Sequence, residues 1–325
     1  MNNRPHAVFI TNLGEKNINY VYTQKQQQEL AELADFVPGI ITEDSLDSVD
    51  LTQVEVAFST WGMPSLTEEQ LAKYLPNLKA VFYAAGATDT FARPLFARNI
   101  RLASAWRANA MPVAEFTLAQ IILSMKNYFS NIAHCIPENI GKEHPLGPGC
   151  YGETVALIGA GAISTRLQEL LRPFSLNVIV IPSRAERRTI SLEEAFKTAY
   201  VVSNHLPDRD DNKKVLTREL FASMRHGATF INTGRGAQVD EEGLAAVLRE
   251  RSDLTALLDV TFPEPPEARS PLYSLPNVHL SSHIAGSVND EVHRMADWMI
   301  CEFKHYINGE PWQHELNETM LLTHS

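Results

Sequence analysis

Along the chain, short runs of apolar and β-branched residues alternate with longer stretches in which apolar positions recur every three or four residues. The runs are AVFI (7–10), EVAFS (55–59), KAVFYA (79–84), TVALIG (154–159), NVIVI (177–181), VVSN (201–204), ATFIN (228–232) and LTALLDV (254–260). They hold too few polar positions for a strand with one wet face, and so predict strands buried on both faces. Between them, QKQQQELAELA (24–34), TEEQLAKYL (67–75), STRLQELLRPF (164–174) and EEGLAAVLRER (241–251) predict helices. Strands and helices alternating at this interval imply an α/β fold with parallel sheets covered on both sides.

The 325 residues exceed one ordinary core, so two domains are expected, and 44% hydrophobic residues suffice to fill both. The run MPVAEFTLAQIILSMKNYF (111–129) predicts a long helix with Pro112 in its first turn, separating the two strand series. The expected architecture is two Rossmann-like or flavodoxin-like domains with a cleft between them. Residues 1–104 with 289–325 form the smaller, substrate-binding domain, and residues 105–288 the dinucleotide-binding one. A helix over 289–308 and a short tail return the chain to the first domain. The segment HCIPENIGKEHPLGPGC (134–150) reads as an irregular connector. Its His134, Cys135, His144 and Cys150 match no ligand spacing, so no metal is expected.

Charge and cysteine content narrow the partners. A formal net charge of −11 opposes binding to nucleic acid or anionic lipid, because nonspecific affinity for both comes from Lys and Arg. Three cysteines without a CxxC pair suggest neither a disulfide framework nor a zinc module. No run reaches the length of a membrane span and the N-terminus lacks an apolar signal centre, which points to a cytoplasmic protein.

The first candidate chemistry lies in VALIGAGAISTRL (155–167): a buried strand, a glycine turn and the start of a helix. Gly159 permits the tight turn and Gly161 lets the backbone approach a pyrophosphate. The amides of Ala160, Ala162 and Ile163 then face its charge at the helix N-terminus. Ser164 stands where a third glycine is expected, and its hydroxyl can bond back to a carbonyl one turn earlier. The following strand ends in Pro182, Ser183 and Arg184 rather than in the acid that accepts from an NAD ribose. Ser183 and Arg184 suit a 2′-phosphate, so NADP(H) is the expected cofactor, with NAD(H) still possible. The other reading is that these arginines, with Arg187 and Arg188, form a solvated loop.

Three later strand ends carry reactive residues: INTGRG (231–236), LLDVTFPEP (257–265) and SSHIAG (281–286). Together with AAGATD (84–89), NAMPVAE (109–115), the glycine loop and NHLPDRDDNKKVLTRELFASMRHGATFINTGRG (204–236), they resemble the D-isomer-specific 2-hydroxyacid dehydrogenases, nearly end to end. The resemblance implies an oxidoreductase that transfers a hydride between a nicotinamide cofactor and a small 2-keto acid such as glyoxylate or hydroxypyruvate. It assigns His283 as the proton donor to the nascent alkoxide and Glu264 as the carboxylate that steadies the imidazolium. Arg235 becomes a planar fork on the substrate carboxylate and carbonyl oxygen.

By the same resemblance, Ala85, Gly86 and Ala87 hold the substrate carboxylate through their amides. Asp259 meets the nicotinamide carboxamide, and His205, Pro207, Thr233 and Gly234 line the cofactor. Trp61 either narrows the pocket or fills the core. The resemblance also implies a homodimer, with the helix over 112–129 as a contact element. Relatives of this fold also serve as nucleotide-sensing co-repressors, so a catalytically idle sensor is the alternative.

Overall fold

A computed structural model describes residues 4–322. Among them twelve strands run in chain order: β1 His6–Ile10, β2 Asp35–Ile41, β3 Val56–Ser59, β4 Ala80–Tyr83, β5 Arg101–Ser104, β6 Tyr151–Ile158, β7 Ser175–Ile181, β8 Val201–Asn204, β9 Thr229–Asn232, β10 Thr255–Leu258, β11 Val278–Leu280 and β12 Glu315–Leu316. They form two six-stranded sheets, ordered β12-β5-β4-β3-β1-β2 and β11-β10-β9-β8-β6-β7. Every pairing is parallel except β12 with β5.

The chain divides into two compact units, one of residues up to Asn109 together with those from Ser287 on, the other Ala110–Gly286. The first boundary falls inside the helix Trp106–Met125, where the sequence had suggested a break before it. The reason is packing: Ala105 and Ala108 belong to one buried cluster of the first unit, and Trp106 lies against another. Pro112 is likewise interior to this helix rather than in its first turn, so one backbone donor is lost there.

In the first unit, Phe9, Phe58 and Phe82 on β1, β3 and β4 stack across the sheet, and Phe303 of the helix Val292–Asn308 meets the latter two edge-on. The helices Gln24–Leu33 and Glu68–Tyr74 both open on Thr-x-x-Gln capping boxes that satisfy their first amides. The tail does return to this unit: Glu302, 1% exposed, accepts the backbone amides of Gln313 and His314, and Arg101 holds Glu315 with two hydrogen bonds.

In the second unit, β8, β9 and β10 are buried throughout and β6 is buried over 155–158. Leu167 and Leu171 of the helix Ala162–Leu171 cover one face, and Leu244 and Leu248 of the helix Glu241–Glu250 cover the other. Consequently, the loops after β6, β7, β8, β9, β10 and β11 gather at the carboxyl edge of this sheet, where open parallel sheets place ligands.

Candidate active site

The turn after β6 has one glycine the backbone requires and one that leaves room. Gly159 has φ +110°, and a Cβ there would lie 2.3 Å from the carbonyl oxygen of His205. Gly161 would meet nothing within 4 Å, and it and Ala160 are exposed at the mouth of the helix Ala162–Leu171. The first amides of that helix have no carbonyl a turn before them, which leaves donors for an anion. Ser164 is buried, and its hydroxyl donates to the Gly159 carbonyl at 2.7 Å, tying the helix to the turn as a third glycine's close packing would. These features fit a dinucleotide pyrophosphate.

After β7, Arg188 folds back to donate to the carbonyls of Pro182 and Ser183 at 2.9 and 2.7 Å, which shapes the loop. Arg184 is half-buried, and its guanidinium bonds to no described residue.

After β8, the His205 ring turns into the protein. Its Nε2 lies 2.9 Å from the Ser203 hydroxyl and its Nδ1 3.2 Å from that of Thr233, which in turn is 3.4 Å from Thr117. Burial drives its pKa from 6.5 down to about 3, so the ring is neutral. What His205 and Pro207 offer a ligand at this edge is therefore backbone, with Pro207 only half-buried.

Arg235 follows β9. Its Nη1 donates to the carbonyl of Gly234 at 2.9 Å and its Nε lies 3.7 Å from Asp208. A Cβ on Gly236 would sit 2.0 Å from the carbonyl carbon of Thr261, so glycine there is what lets the Arg235 turn lie against the loop carrying Glu264. The two loops are also stitched by Glu241, whose carboxylate accepts the Phe262 amide at 2.7 Å; burial raises this carboxyl to about 7.

His283 Nδ1 lies 2.6 Å from Glu264 Oε1, the pairing expected from sequence. Glu264 follows the cis peptide Phe262–Pro263 and precedes Pro265 through a second cis bond. His283 itself has φ +57°, a left-handed conformation that costs a side-chain-bearing residue about 1–3 kcal/mol and persists where surrounding bonds over-determine it. Here those bonds come from Asp259. Its backbone carbonyl accepts the His283 amide at 3.0 Å, and its carboxylate, 2% exposed, accepts the Ile284 and Ala285 amides at 2.9 Å and the Ser281 hydroxyl at 2.6 Å. The structure thus commits Asp259 to shaping the histidine loop, a role its expected place at the carboxamide did not include.

In the first unit, the carbonyls of Ala85 and Gly86 both accept from Ser104 Oγ, at 2.9 and 3.1 Å. The amides of Gly86 and Ala87 bond to no described residue, leaving a short row of donors after β4. Trp61 lies partly buried against two apolar clusters of that unit, and its carbonyl accepts from Thr11 and Asn17.

Of the three residues the sequence singles out as catalytic candidates, the structure joins Glu264 to His283, while Arg235 stands at the end of the neighbouring strand, engaged with Gly234 and Asp208. Sequence reasoning missed a set of buried amides, Asn204, Asn232 and Gln238, that underlies Arg235. The two asparagines were signalled only as polar residues ending otherwise apolar runs, and Gln238 had no such signal.

Comparison with known proteins places this geometry in context. The pattern of the D-isomer specific 2-hydroxyacid dehydrogenase, NAD binding domain, matches residues 119–285, just over half the chain. A glyoxylate reductase of Aeropyrum pernix is 33% identical over 165 residues, 47% of this chain and 49% of that protein. A hydroxypyruvate reductase of Thermotoga maritima is 28% identical over 206 residues, 61% of this chain and 67% of that protein. The chain thus spans about half to two thirds of the length of these curated relatives. In fold, it superimposes on a phosphoglycerate oxidoreductase from Rhizobium etli with a TM-score of 0.79 at 21% identity, covering 98% of this chain and 100% of that one.

Proposed function

Because the chain belongs to the D-isomer-specific 2-hydroxyacid dehydrogenase family, we propose that it reduces a small 2-keto acid of the glyoxylate or hydroxypyruvate kind to the D-2-hydroxy acid. The observation that carries this reading is the 2.6 Å pair of Glu264 and His283 on a loop held in a costly conformation by Asp259. An ionised carboxylate only accepts, so Nδ1 carries the proton shared with Glu264 and Nε2 is the nitrogen left for the substrate. The nicotinamide, when bound, supplies the hydride. As the carbonyl carbon is reduced, Nε2–H of His283 gives its proton to the oxygen, and in the oxidative direction the neutral ring takes it back. Arg235 offers its fork to the substrate carboxylate; the Gly86 and Ala87 amides of the first unit are donors suited to an anion in their own right.

The cofactor we assign is NADP(H). Support comes from Pro182 in the place of the ribose acid, the adjacent Ser183, and the half-buried Arg184, whose guanidinium makes no hydrogen bond to a described residue. The protein is further proposed to be a cytoplasmic homodimer. In the segment beyond the long helix, Ile140, Leu146 and Tyr151 are 84%, 81% and 85% exposed, an apolar set suited to a second copy. Sedimentation of wild type and an Ile140→Asp/Leu146→Asp variant checks this, and a monomeric wild type would remove it.

A panel of 2-keto acids assayed with NADPH and with NADH tests the central reading. Turnover is expected with at least one small 2-keto acid, favouring NADPH by about tenfold or more in kcat/KM. His283→Ala is expected to lower kcat by about 10²–10⁴, within the range of general acid catalysis, with the fold retained. Inactivity across the panel, or near-normal turnover by His283→Ala, would reject the assignment; preference for NADH would reject only the cofactor choice.

A further inference from the structure

Beneath the Arg235 turn lie three side-chain amides that the chemistry above does not use. Asn204, Asn232 and Gln238 are 0%, 1% and 1% exposed. Buried amides without partners are costly, and here the partners are specific. Gln238 Nε2 donates to the carbonyls of Leu206 and Pro207, each at 2.9 Å, while its Oε1 accepts from Asn204 Nδ2 at 2.6 Å and from the backbone amide of Arg235 at 3.3 Å. Asn204 Nδ2 also reaches Asn232 Oδ1 at 2.9 Å, and its Oδ1 accepts the Leu206 amide at 3.2 Å. Asn232 Oδ1 in turn accepts the Gly234 amide at 3.1 Å.

One side chain thus bonds with one end to the stretch after β8 and with the other to the backbone of Arg235. The Leu206–Pro207 stretch is continuous with His205, whose carbonyl lies against Gly159 of the glycine turn. An uninterrupted series of backbone contacts and amide bonds therefore runs from the glycine turn to the arginine. Apolar side chains in these positions would fill the same space but leave those backbone groups without their bonds.

We propose that Gln238, supported by Asn204, is a positioning residue that makes the placement of Arg235 depend on the state of the cofactor loop. This rests on the assignment of the dinucleotide to the β6–β8 loops and of Arg235 to the substrate carboxylate. Occupation of the glycine turn by a dinucleotide would restrict Leu206 and Pro207, and through Gln238 it would restrict the arginine before a keto acid arrives. Energetically this is pre-organisation, in which the first ligand meets part of the ordering cost of the second.

The test uses Gln238→Met, which keeps length and volume but removes all four bonds. Hydrogen exchange of the peptide spanning 231–238 is measured with and without saturating NADPH, a readout independent of turnover. In the wild type NADPH is expected to slow exchange of this peptide at least fivefold, and in Gln238→Met less than twofold. Steady-state assays with glyoxylate are expected to give a KM raised about tenfold or more in Gln238→Met, with kcat changed less. In an Arg235→Ala background the same substitution should leave KM within twofold, since its effect passes through the arginine.

Equal slowing by NADPH in wild type and Gln238→Met overturns the proposal, as does an equal rise in KM in both backgrounds. A wild type that binds NADPH but turns over no keto acid defeats the functional reading alone, because the exchange comparison still decides the coupling.

Discussion

The two units share a strand order, yet the turn after the first strand of each is built for opposite ends. In both sheets the first strand lies between the second and third, with the fourth and fifth extending one edge. After β1, the Thr11 hydroxyl donates to the Trp61 carbonyl and accepts the Leu13 amide. A Cβ on nearby Gly62 would lie 2.6 Å from Leu13 Cγ and 2.8 Å from Thr11 Oγ1, so side chains of this turn cover the backbone at Gly62. After β6, by contrast, Gly159 rests on the His205 backbone and Gly161 faces open space. Capacity for a ligand therefore follows from what fills the turn, not from topology, which the two sheets have in common.

The sharpest way to break this contrast is to close the open turn. Gly159→Ala would place a Cβ 2.3 Å from the His205 carbonyl at a φ of +110°, so backbone must shift. NADPH affinity, followed by fluorescence titration, is expected to fall by more than about 100-fold, near 2.8 kcal/mol. Gly14→Ala in the counterpart turn meets nothing within 4 Å and carries only the penalty of φ +73°. It should cost about 1 kcal/mol of stability and leave NADPH affinity unchanged. Equal losses of affinity in the two variants would erase the distinction.

A second contrast lies in how each unit anchors the loop that carries its proposed site residues. In the second unit a buried carboxylate gathers two amides and a hydroxyl beneath His283; in the first, one hydroxyl, Ser104, holds the Ala85 and Gly86 carbonyls. Bonds to a charged acceptor are roughly twice as strong as neutral ones. Asp259→Asn replaces an acceptor by an NH₂ group that faces donors, and is expected to lower kcat about 10- to 100-fold, or 1.4–2.8 kcal/mol. Ser104→Ala should change KM for the keto acid by about threefold, within one neutral hydrogen bond. Reversal of that ranking would show that loop anchoring is not what the two units divide between them.

How much of this was legible in the chain depended on whether a feature was local. The eight apolar runs became β1, β3, β4, β6, β7, β8, β9 and β10; burial on both faces explains all of them but β7, which lies at a sheet edge and buries only Ile181 fully. The strand β2 was missed because it lies at a sheet edge, contains Pro38 and Gly39, and buries only Ile41 fully. The strands β11 and β12, three and two residues long, are defined by their partners.

At the site, the turn glycines and the Glu264–His283 pair followed from residue types at strand ends. The Asp259 anchor and the Gln238 network did not, since each joins residues more than 20 positions apart through backbone atoms that carry no sequence signature. Ser164 is an intermediate case: its bond to Gly159 spans five residues and was foreseeable from a serine one turn along.

The last comparison concerns two buried titratable groups, one in each unit, whose shifts have opposite consequences for stability. In the second unit His205 is neutral, with its pKa lowered to about 3 by burial; in the first, burial raises that of Glu302. Below about pH 6.5 the unfolded chain takes up a proton at His205 that the folded unit refuses until about pH 3. The stability due to this group is therefore whole above 6.5 and falls by about 1.4 kcal/mol per pH unit through that window. Glu302 works oppositely, since its folded form holds a proton more readily than the unfolded chain, so its contribution improves as pH falls. Within the second unit Glu241, raised to about 7, also opposes His205, though its partial exposure screens the effect. The comparison is isolated by His205→Gln: between pH 7 and pH 5 the wild type should lose about 2 kcal/mol more protection than the variant in the hydrogen exchange of β8 and β9. Peptides of β3 and β4 in the first unit should show no such difference, and equal pH slopes for wild type and variant in β8 and β9 would mean that His205 is not the group that makes the second unit acid-sensitive.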